Sequence, residues 1–382
     1  MTDAKNESQV PTGEERPLAQ SRLVSLDALR GFNMFWIIGG ADIVSAIGDK
    51  IHNPWLHRVT DNLTQHVEWE GFHFHDLIFP MFLFIIGVAI PFATASRLQR
   101  GETKRRIALH VLKRTLLLFS LGLIYNHILD LQGFDKLRIA GVLQRLALGY
   151  CCAALLELYT SPRRQALVAA ALLVIYYLLM RFVHVPGFPT GTMSQQGNLA
   201  NYLDRLLFKP KQMYETYGDP EGPLSTIPAF ATAILGALAG CWLRSRRTQR
   251  DKTFGMLLGG LACIALGYLW SPWFPIIKKI WTSSFVLVAA GWSLLFLSLF
   301  YYIIDVRGWK RWAFFFVVIG LNPITIYVGQ EIIDFEGITG YLFKGVLDHI
   351  PAYKSILFAV CVLAVKWLFL RFLHRQKIYL RV

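Results

Sequence analysis

The sequence is poor in charge for its length, and this excludes an ordinary soluble protein. Of its 382 residues, 17% are charged and 54% are hydrophobic, whereas soluble domains average about 25% charged residues. Several apolar runs are long enough to cross a bilayer as helices, which takes roughly 18 or more residues. Because backbone groups in lipid must be satisfied internally, these runs indicate helices rather than open sheets. We predict an all-α, polytopic transmembrane bundle.

Signals for metal binding, disulfide pairing and internal repetition are also lacking. The five cysteines all fall in apolar runs without metal or disulfide spacing, so we interpret them as small core residues. No zinc pattern such as HExxH occurs, and we expect no metal. The internal repeat common among secondary transporters is not evident. Residues 1–21 lack the apolar run of a signal peptide and are predicted to be a disordered cytoplasmic tail.

Ten spans follow from the apolar runs, at residues 30–48, 73–95, 107–127, 141–159, 166–184, 225–243, 254–271, 283–303, 313–329 and 353–371. Most of the 39 Lys and Arg residues lie in alternate connecting segments. By the positive-inside rule those segments are cytoplasmic, which puts both termini in the cytoplasm and His66 outside. The net charge of +14 is therefore a topology signal, and no nucleic-acid partner is expected. Residues 22–382 form one transmembrane domain with an ordered extracytoplasmic cap at 185–224.

Ionisable side chains at membrane depth are costly and indicate function by default. Asp27 and Arg30 lie three residues apart on one helical face, where they can pair; Arg30 either completes a structural ion pair or meets an anionic ligand. The segment HVEWEGFHFHD, residues 66–76, places His, Glu and Asp directly before an apolar span. Histidine acting as a base, with a carboxylate such as Asp76 fixing its tautomer, is better motivated than a metal site.

Two further groups of polar residues interrupt apolar spans. RIAGVLQRLAL contains Arg138, Gln144 and Arg145, and Arg145 falls about one turn inside the membrane. A carboxylate partner is therefore expected, either Asp76 or Glu331. In GLNPITIYVGQE, Pro323 follows Asn322 within a span. A proline there frees a backbone carbonyl, so this helix is either broken beside a polar cavity or simply kinked.

Six segments, in this order, resemble the heparan-α-glucosaminide N-acetyltransferase family: RLVSLDALRGFNM, HVEWEGFHFHDLIFPMFLFIIGVAI, RIAGVLQRLALGY, GDPEGPLSTIPA, WTSSFVLVAAGW and GLNPITIYVGQE. The resemblance runs from about residue 22 to the end and lacks the luminal N-terminal domain of the lysosomal enzyme. It therefore suggests a bacterial member, located in the inner membrane. It implies transfer of acetyl from cytoplasmic acetyl-CoA to an amino sugar on the far side of the membrane, and a homodimer surrounded by membrane lipids.

The resemblance also implies roles for individual residues. The family's active-site histidine corresponds to His66. Glu70 replaces an Asn of the family, and Asp42 is the nearest polar residue where the family has another functional Asn. These two, with Gln144 and Arg145, are the substrate-binding candidates.

The donor and the chemistry supply the remaining candidates. Phosphates of acetyl-CoA need basic partners, for which Arg30, Arg105, Arg106, Arg114 and Arg247 are available. Asn322, Gln144 or Arg145 would stabilise the oxyanion, so His66, Asp76 and Asn322 form the catalytic set. His66 either deprotonates the acceptor during direct transfer, which we favour, or carries the acetyl group itself.

The competing hypothesis is a proton-coupled secondary transporter of a small polar or sugar substrate. Carriers usually place ionisable groups near the midplane, whereas here most lie at span ends. This placement favours the acyltransferase.

Overall fold

A computed structural model describes residues 23–51, 53–128 and 136–379; the predicted tail at 1–21 lies outside them. The described residues form α-helices and short helical turns without a β-strand. The α-helices are α1 (Val24–Phe35), α2 (Ala41–Gly48), α3 (Pro54–Thr64), α4 (Phe74–Gln99), α5 (Lys104–Tyr125), α6 (Val142–Tyr159), α7 (Pro162–Phe182), α8 (Leu199–Leu207), α9 (Pro223–Arg244), α10 (Gln249–Trp270), α11 (Ser283–Phe300), α12 (Phe314–Leu321), α13 (Pro323–Ile332), α14 (Phe335–His349) and α15 (Lys354–Arg375).

Nine helical segments within the described residues are long and apolar enough to span a membrane, and α12 with α13 forms a tenth, bent span. The fold prediction of a helical bundle with about ten spans is confirmed, and the chain is an integral membrane protein. Helices α4 and α9 lie at the centre with most of their residues buried, whereas only a minority of the residues of α5, α7 and α10 are buried. The segment before α4 therefore lies at one end of a central helix.

Local sequence sets most helix starts. The side chains of Thr103, Asn198, Thr248 and Asp334 each accept a backbone N–H from the first turn of the helix that follows, which satisfies a donor that has no partner inside the helix. Proline occupies the first turn of α3, α7, α9 and α13, where its missing N–H costs nothing.

The first span is kinked between α1 and α2. Gly39 adopts a φ of 154° inside a π-helical stretch, Trp36–Gly40, a conformation that other residues rarely adopt. The kink releases the carbonyl of Ile38, and the Lys366 ammonium of α15 donates to that oxygen at 3.0 Å. A buried carbonyl is thus satisfied by a side chain from another helix. After the kink the chain continues as α2, in which Ala46 and Gly48 are the buried residues.

The span formed by α12 and α13 bends by 69°. The break lies at Asn322 and Pro323, as one of the two sequence hypotheses held. Asn322 is 1% exposed, and its side-chain amide donates to the carbonyl of Ile378 at 3.0 Å. The residues that follow α15 are thereby tied to the break. Pro323 and Ile324, directly after it, line a cavity described below.

Candidate active site

His66 and Asp76 form a close pair at the start of α4. Asp76 is the third residue of that helix and is 1% exposed. Its Oδ2 accepts the backbone N–H of His73 at 3.0 Å and of Val67 at 3.3 Å, while its Oδ1 lies 2.8 Å from His66 Nδ1. A carboxylate is favoured beside a helix N-terminus. Asp76 therefore fixes the His66 ring by its Nδ1, which leaves Nε2 as the acceptor of a proton.

The segment that carries His66 is held against the bundle by backbone contacts. Gly71 adopts a φ of +131°, which allows its N–H to reach the carbonyl of Ile276 at 2.9 Å. The indole N–H of Trp69 donates to the carbonyl of Met193 at 2.9 Å. Residues 65–73 are thus fastened both to the cap and to the segment that joins α10 to α11, and His66 is fixed at the end of the bundle where these segments meet.

Lys278 completes the cluster around His66. Its Nζ lies 2.9 Å from His66 Nδ1 and 3.1 Å from His66 Nε2, and 3.3 Å from Asp76 Oδ1. Burial lowers the pKa of Lys278, and the charge of Asp76 partly offsets that effect. The His75 ring lies on another side of His66, with 4.5 Å between ring centroids. The arrangement can hold, accept and release a proton beside a charged pair.

The cluster opens into a cavity of about 590 Å³, here termed the His66 cavity. A volume in this range suits a small-molecule substrate. Aromatic side chains and carboxylates share its wall: Trp36, Asp42, Tyr125, Tyr214, Glu215, Glu221, Trp281 and Tyr327. Tyr125 and Tyr327 stack with centroids 4.8 Å apart, and the Tyr125 hydroxyl donates to Glu331 at 3.1 Å. The cavity thus offers both aromatic faces and hydrogen-bond acceptors.

One wall of the His66 cavity comes from residues 210–222, which belong to the predicted cap. Arg138 donates through Nε and Nη2 to the two oxygens of Asp219, each at 2.8 Å, and to Glu221 at 2.5 Å. Burial opposes the Asp219 charge, but Arg138 outweighs it and lowers the Asp219 pKa; burial raises the pKa of Glu221. Lys279 pairs with Glu215 at 2.9 Å. These pairs fasten the cap to the bundle.

A second cavity of about 740 Å³ lies toward the other end of the bundle, here termed the basic cavity. Among the residues that the structure describes, its lining contains no Asp or Glu and four Lys or Arg side chains: Arg30, Arg97, Lys113 and Arg114. Arg30 pairs with Asp27 at 3.3 Å, as predicted, and Arg97 pairs with Glu102 at 3.0 Å. Arg114 lies over the Tyr150 ring at 4.6 Å. This cavity is suited to a large anionic ligand.

The two cavities have three lining residues in common, namely Phe82, Leu146 and Ile324. These apolar side chains come from α4, α6 and α13. Ile324 directly follows Pro323, so the bend between α12 and α13 places it between the cavities. The cavities are therefore neighbours that share an apolar wall.

The structure assembles some of the predicted site residues. Asp42 lines the His66 cavity together with His66. Arg30 and Arg114 line the basic cavity. The other donor-binding candidates do not join them: Arg105 and Arg106 are exposed at the start of α5, and Arg247 is exposed and lies over the Trp242 ring at 4.4 Å. Their roles stay predictions that no contact to a cavity supports.

Other predicted residues lie apart from the His66 cluster. Glu70 is exposed and is not part of the cavity wall. Gln144 is buried against Gly122 and Gly141, at the contact of α5 with α6. The Asn322 amide binds the carbonyl of Ile378 instead of pointing to His66. The structure therefore gives these three residues no direct part in chemistry at His66.

The predicted partners of Arg145 are wrong. Arg145 is 1% exposed, but its Nη2 donates to Ser225 Oγ at 2.5 Å and to the carbonyl of Gly222 at 3.4 Å. Its guanidinium also lies over the Trp281 ring, 4.8 Å from the centroid. Neither Asp76 nor Glu331 contacts it, because the start of α9 and Trp281 enclose its side chain. Arg145 therefore packs against Trp281, which lines the His66 cavity.

Lys278 and His75 are functional candidates that the sequence interpretation missed. Lys278 stands in an otherwise apolar segment, SPWFPIIKK, on the side that the positive-inside rule makes poor in Lys and Arg. This exception to the positive-inside rule is the sequence feature that could have identified Lys278. His75 lies one residue before Asp76 and was included only in the general His and Asp density. Its Nδ1 is buried, and no hydrogen-bond partner for it occurs among the described residues.

Metal ligation has no structural counterpart in the part of the chain that the structure describes, where no group of three or more His, Cys, Asp or Glu side chains is placed to hold an ion.

Comparison with known proteins finds relatives that match most of this chain. Heparan-alpha-glucosaminide N-acetyltransferase of Mus musculus is 28% identical over 97% of this chain and 62% of its own length. The Homo sapiens protein of the same name is 30% identical over 94% of this chain and 60% of its own length. The chain is related to these acetyltransferases along almost its whole length. It spans about three-fifths of theirs. A domain of unknown function, DUF5009, matches residues 22–194, which include His66, Asp76 and Arg145.

Proposed function

We propose that the protein is a transmembrane acetyltransferase that moves an acetyl group from acetyl-CoA in the basic cavity to the amine of an amino sugar in the His66 cavity. The observation that carries the proposal is the pair of neighbouring cavities, one basic and one containing a His–Asp pair, with a shared apolar partition. Acetyl transfer to a glucosaminide is what the names of the two mammalian relatives state.

The basic cavity suits the nucleotide end of acetyl-CoA. Arg30, Arg97 and Arg114 offer guanidinium groups, which bind phosphate oxygens in bidentate fashion. Lys113 adds a point charge. The acetyl-bearing arm of the donor is flexible and less polar, and it would pass between Phe82, Leu146 and Ile324 to bring the thioester carbonyl into the His66 cavity. The basic cavity is thereby the binding site for the nucleotide end of acetyl-CoA, and the acetyl end reacts in the His66 cavity.

His66 would act as the general base. The acceptor amine attacks the thioester carbonyl as His66 Nε2 removes its proton, and a C–N bond forms. Collapse of the tetrahedral intermediate breaks the C–S bond, and the CoA thiolate leaves and takes up a proton. Asp76 holds the ring by Nδ1 and stabilises the imidazolium that forms. Direct transfer needs no covalent enzyme intermediate, whereas a two-step route would place the acetyl group on His66 first.

The His66 cavity fits an amino sugar. Stacked Tyr125 and Tyr327 and the indole of Trp281 present apolar faces, and the carboxylates of Asp42, Glu215 and Glu221 can accept hydrogen bonds from hydroxyl and amino groups. Asp42, which follows the kink of the first span and lines the cavity, keeps its role as a substrate-binding candidate in this proposal. The proposal also keeps a bacterial inner membrane, cytoplasmic termini, a homodimer and contacts with lipids as predictions from the sequence.

The test uses purified protein in detergent with radiolabelled acetyl-CoA and glucosamine. His66→Ala and Asp76→Asn are compared with wild type and with His73→Ala, whose side chain points to the carbonyl of Gln65 and does not line the cavity. We expect acetylated product from wild type and His73→Ala, and a loss of about 100-fold or more in kcat for the other two, since general-base catalysis contributes roughly 10²–10⁴-fold. Equal turnover by His66→Ala would contradict the assigned role.

The same preparation separates the two routes and the transporter alternative. Incubation with labelled acetyl-CoA but without acceptor leaves the protein unlabelled if transfer is direct, whereas acetyl on His66 indicates the two-step route. Flux of labelled glucosamine into proteoliposomes without acetyl-CoA, combined with no acetylation of any amino sugar tested, would replace the enzyme by a carrier.

A further inference from the structure

Asp76 is a buried carboxylate with two basic neighbours. It is 1% exposed, and both His66 Nδ1 and Lys278 Nζ approach its Oδ1, at 2.8 Å and 3.3 Å. Leaving a buried carboxylate without a positive partner is costly. Either a protonated His66 or a protonated Lys278 can supply the charge. The choice matters because only an unprotonated His66 can act as a base.

The geometry of Lys278 bears on this choice. Its Nζ lies close to both ring nitrogens of His66, at 2.9 Å and 3.1 Å, as well as to Asp76. An ammonium so close to the ring disfavours a second positive charge there, because like charges at this separation repel strongly. The Lys278 side chain is 21% exposed, and the residue lines the His66 cavity. The lysine is thus enclosed with the pair.

We propose that Lys278 is the counter-ion of Asp76 and thereby keeps His66 unprotonated, so that the ring is ready to accept the proton of a substrate amine. Lys278 is on this proposal a positioning residue that acts through His66. Its effect on catalysis rests on the proposed acetyl transfer, whereas its effect on the protonation of His66 does not.

The other charged groups around the pair do not take over this role. The other titratable and charged side chains that line the cavity with His66 and Lys278 are His75 from α4, Asp42 from α2, Lys279 from the segment after α10, Glu215, Glu221 and Arg138 from the cap and its contact, and the tyrosines Tyr125, Tyr214 and Tyr327. Lys279 is engaged by Glu215 at 2.9 Å. Arg138 is engaged by Asp219 and Glu221. Among the described contacts of Asp76, Lys278 is the one that comes from a Lys or Arg side chain.

Burial lowers the pKa of Lys278, and Asp76 is the largest influence that opposes this. The charge of the lysine therefore depends on Asp76, just as the carboxylate depends on the lysine. Such a mutual dependence is expected of a buried ion pair. It predicts that removal of either charge changes the protonation of the imidazole between them.

The experiment measures the protonation of His66 directly, without acetyl transfer. Diethyl pyrocarbonate reacts with unprotonated imidazole, and peptide mass spectrometry reports the modification of His66 as a function of pH. We compare wild type, Lys278→Met, Lys278→Arg and Lys279→Met. Lys279→Met removes the same charge from the adjacent position, where the lysine pairs with Glu215, and serves as the matched control. Lys278→Gln replaces Lys278→Met if the latter does not fold, as judged by gel filtration and thermal unfolding.

In Lys278→Met or Lys278→Gln, Asp76 has only His66 as a positive partner, so the imidazolium is favoured. We expect the pH of half-maximal modification to rise by about one unit or more, and to stay at the wild-type value in Lys278→Arg and Lys279→Met. An unchanged value in the neutral Lys278 variants, or an equal rise in Lys279→Met, would overturn the proposal.

Acetyl transfer then gives an independent second readout. The acidic limb of the kcat/KM profile should move with the modification profile in the neutral Lys278 variants and approach the wild-type plateau at high pH. If the modification profile shifts but no acetyl transfer occurs in any variant or in wild type, the proposed function fails and the counter-ion role stands. If transfer occurs in all variants without a shift in either profile, the proposed function stands and the counter-ion role fails.

Discussion

Asp204 is a buried carboxylate that connects the cap to the bundle. It lies in α8 and is 1% exposed, and its Oδ2 accepts the backbone N–H of Asp219 at 3.0 Å. Burial raises the pKa of Asp204 to about 7, the nearby Asp219 charge adds to this, and the hydrogen bond from the backbone of Asp219 opposes it. Asp204 therefore takes up a proton on folding in mildly acidic solution.

The linkage between this proton and folding predicts a pH-dependent stability. Because the pKa of Asp204 is raised in the folded state, its protonation stabilises the fold. This contribution to the free energy of unfolding is fully present below the unfolded pKa of 3.8. It is lost as pH rises toward about 7, by up to roughly 1.4 kcal/mol per pH unit. Asp204→Asn is neutral at every pH and removes this loss. We expect the melting temperature of Asp204→Asn, relative to wild type, to be higher at pH 8 than at pH 5 by about 2 °C or more.

Thermal unfolding in detergent at the two pH values measures this difference. Asp348→Asn is the control: Asp348 pairs with Lys354 on the surface, which lowers its pKa, so it is ionised at both pH values. A relative melting temperature of Asp204→Asn that does not change between pH 5 and pH 8 would show that Asp204 remains charged in the folded protein.

At the residue scale, the sequence predicted what local spacing can show. His66 and Asp76 are ten residues apart, on either side of the start of α4. Their proximity can therefore be predicted from their spacing and from the position of the helix start. Lys278 contacts His66 from 212 positions away, and Arg145 meets Ser225 from 80 away. Those contacts depend on how helices pack. No local pattern specifies them, which is why Lys278 was missed and the partner of Arg145 was predicted wrongly.

At the element scale, α1 and α12 cross at two glycines. A Cβ added to Gly31 would lie 1.7 Å from the carbonyl oxygen of Phe316, and one added to Gly320 would lie 1.9 Å from that of Asp27. Backbones approach this closely only where side chains are absent, as is common between membrane helices. The crossing also sets the place of Arg30, whose Nη1 lies 3.4 Å from the carbonyl of Gly320. Helix packing and the basic cavity are therefore coupled.

Gly31→Ala should force α1 away from α12. We expect a loss of about 1–3 kcal/mol or more in stability and weaker binding of acetyl-CoA, measured by thermal unfolding and by equilibrium binding of labelled donor. Gly329→Ala is the matched control in α13, because nothing lies within 4 Å of its added Cβ. There the substitution should stabilise by up to about 1 kcal/mol through helix propensity. Equal effects of the two substitutions would mean that the crossing is not tightly packed.

Hydropathy predicted the spans well because each has to be apolar over the thickness of the bilayer, whatever its neighbours. All ten predicted spans correspond to helices or to the bent pair α12 and α13. Proline in the span formed by α12 and α13 indicated a break or a kink, and the angle of 69° required the tertiary contacts around Asn322. Helix α14 was not predicted, since its sequence was interpreted as part of an outer connecting segment.

At the scale of the whole molecule, the proposed reaction requires that the two cavities be reached from opposite faces of the membrane. The basic cavity lies toward the end that carries the basic connecting segments, and the His66 cavity lies under the cap. The hydrogen bonds of Gly71 with Ile276 and of Trp69 with Met193 bring residues 65–73, 183–222 and 271–282 together at one end. Which end faces the cytoplasm is a prediction of the positive-inside rule.

Labelling from each side of the membrane tests that prediction. Glu70→Cys lies at the His66 end and Arg106→Cys at the other end, and both native side chains are exposed. With a membrane-impermeant maleimide, we expect Glu70→Cys to react in right-side-out vesicles and Arg106→Cys only in inside-out vesicles. Wild type gives the background, since its five cysteines are partly buried. The reverse pattern would place the basic cavity on the outer side of the membrane, where cytoplasmic acetyl-CoA could not reach it. Labelling of both variants from one side would contradict transfer across the membrane altogether.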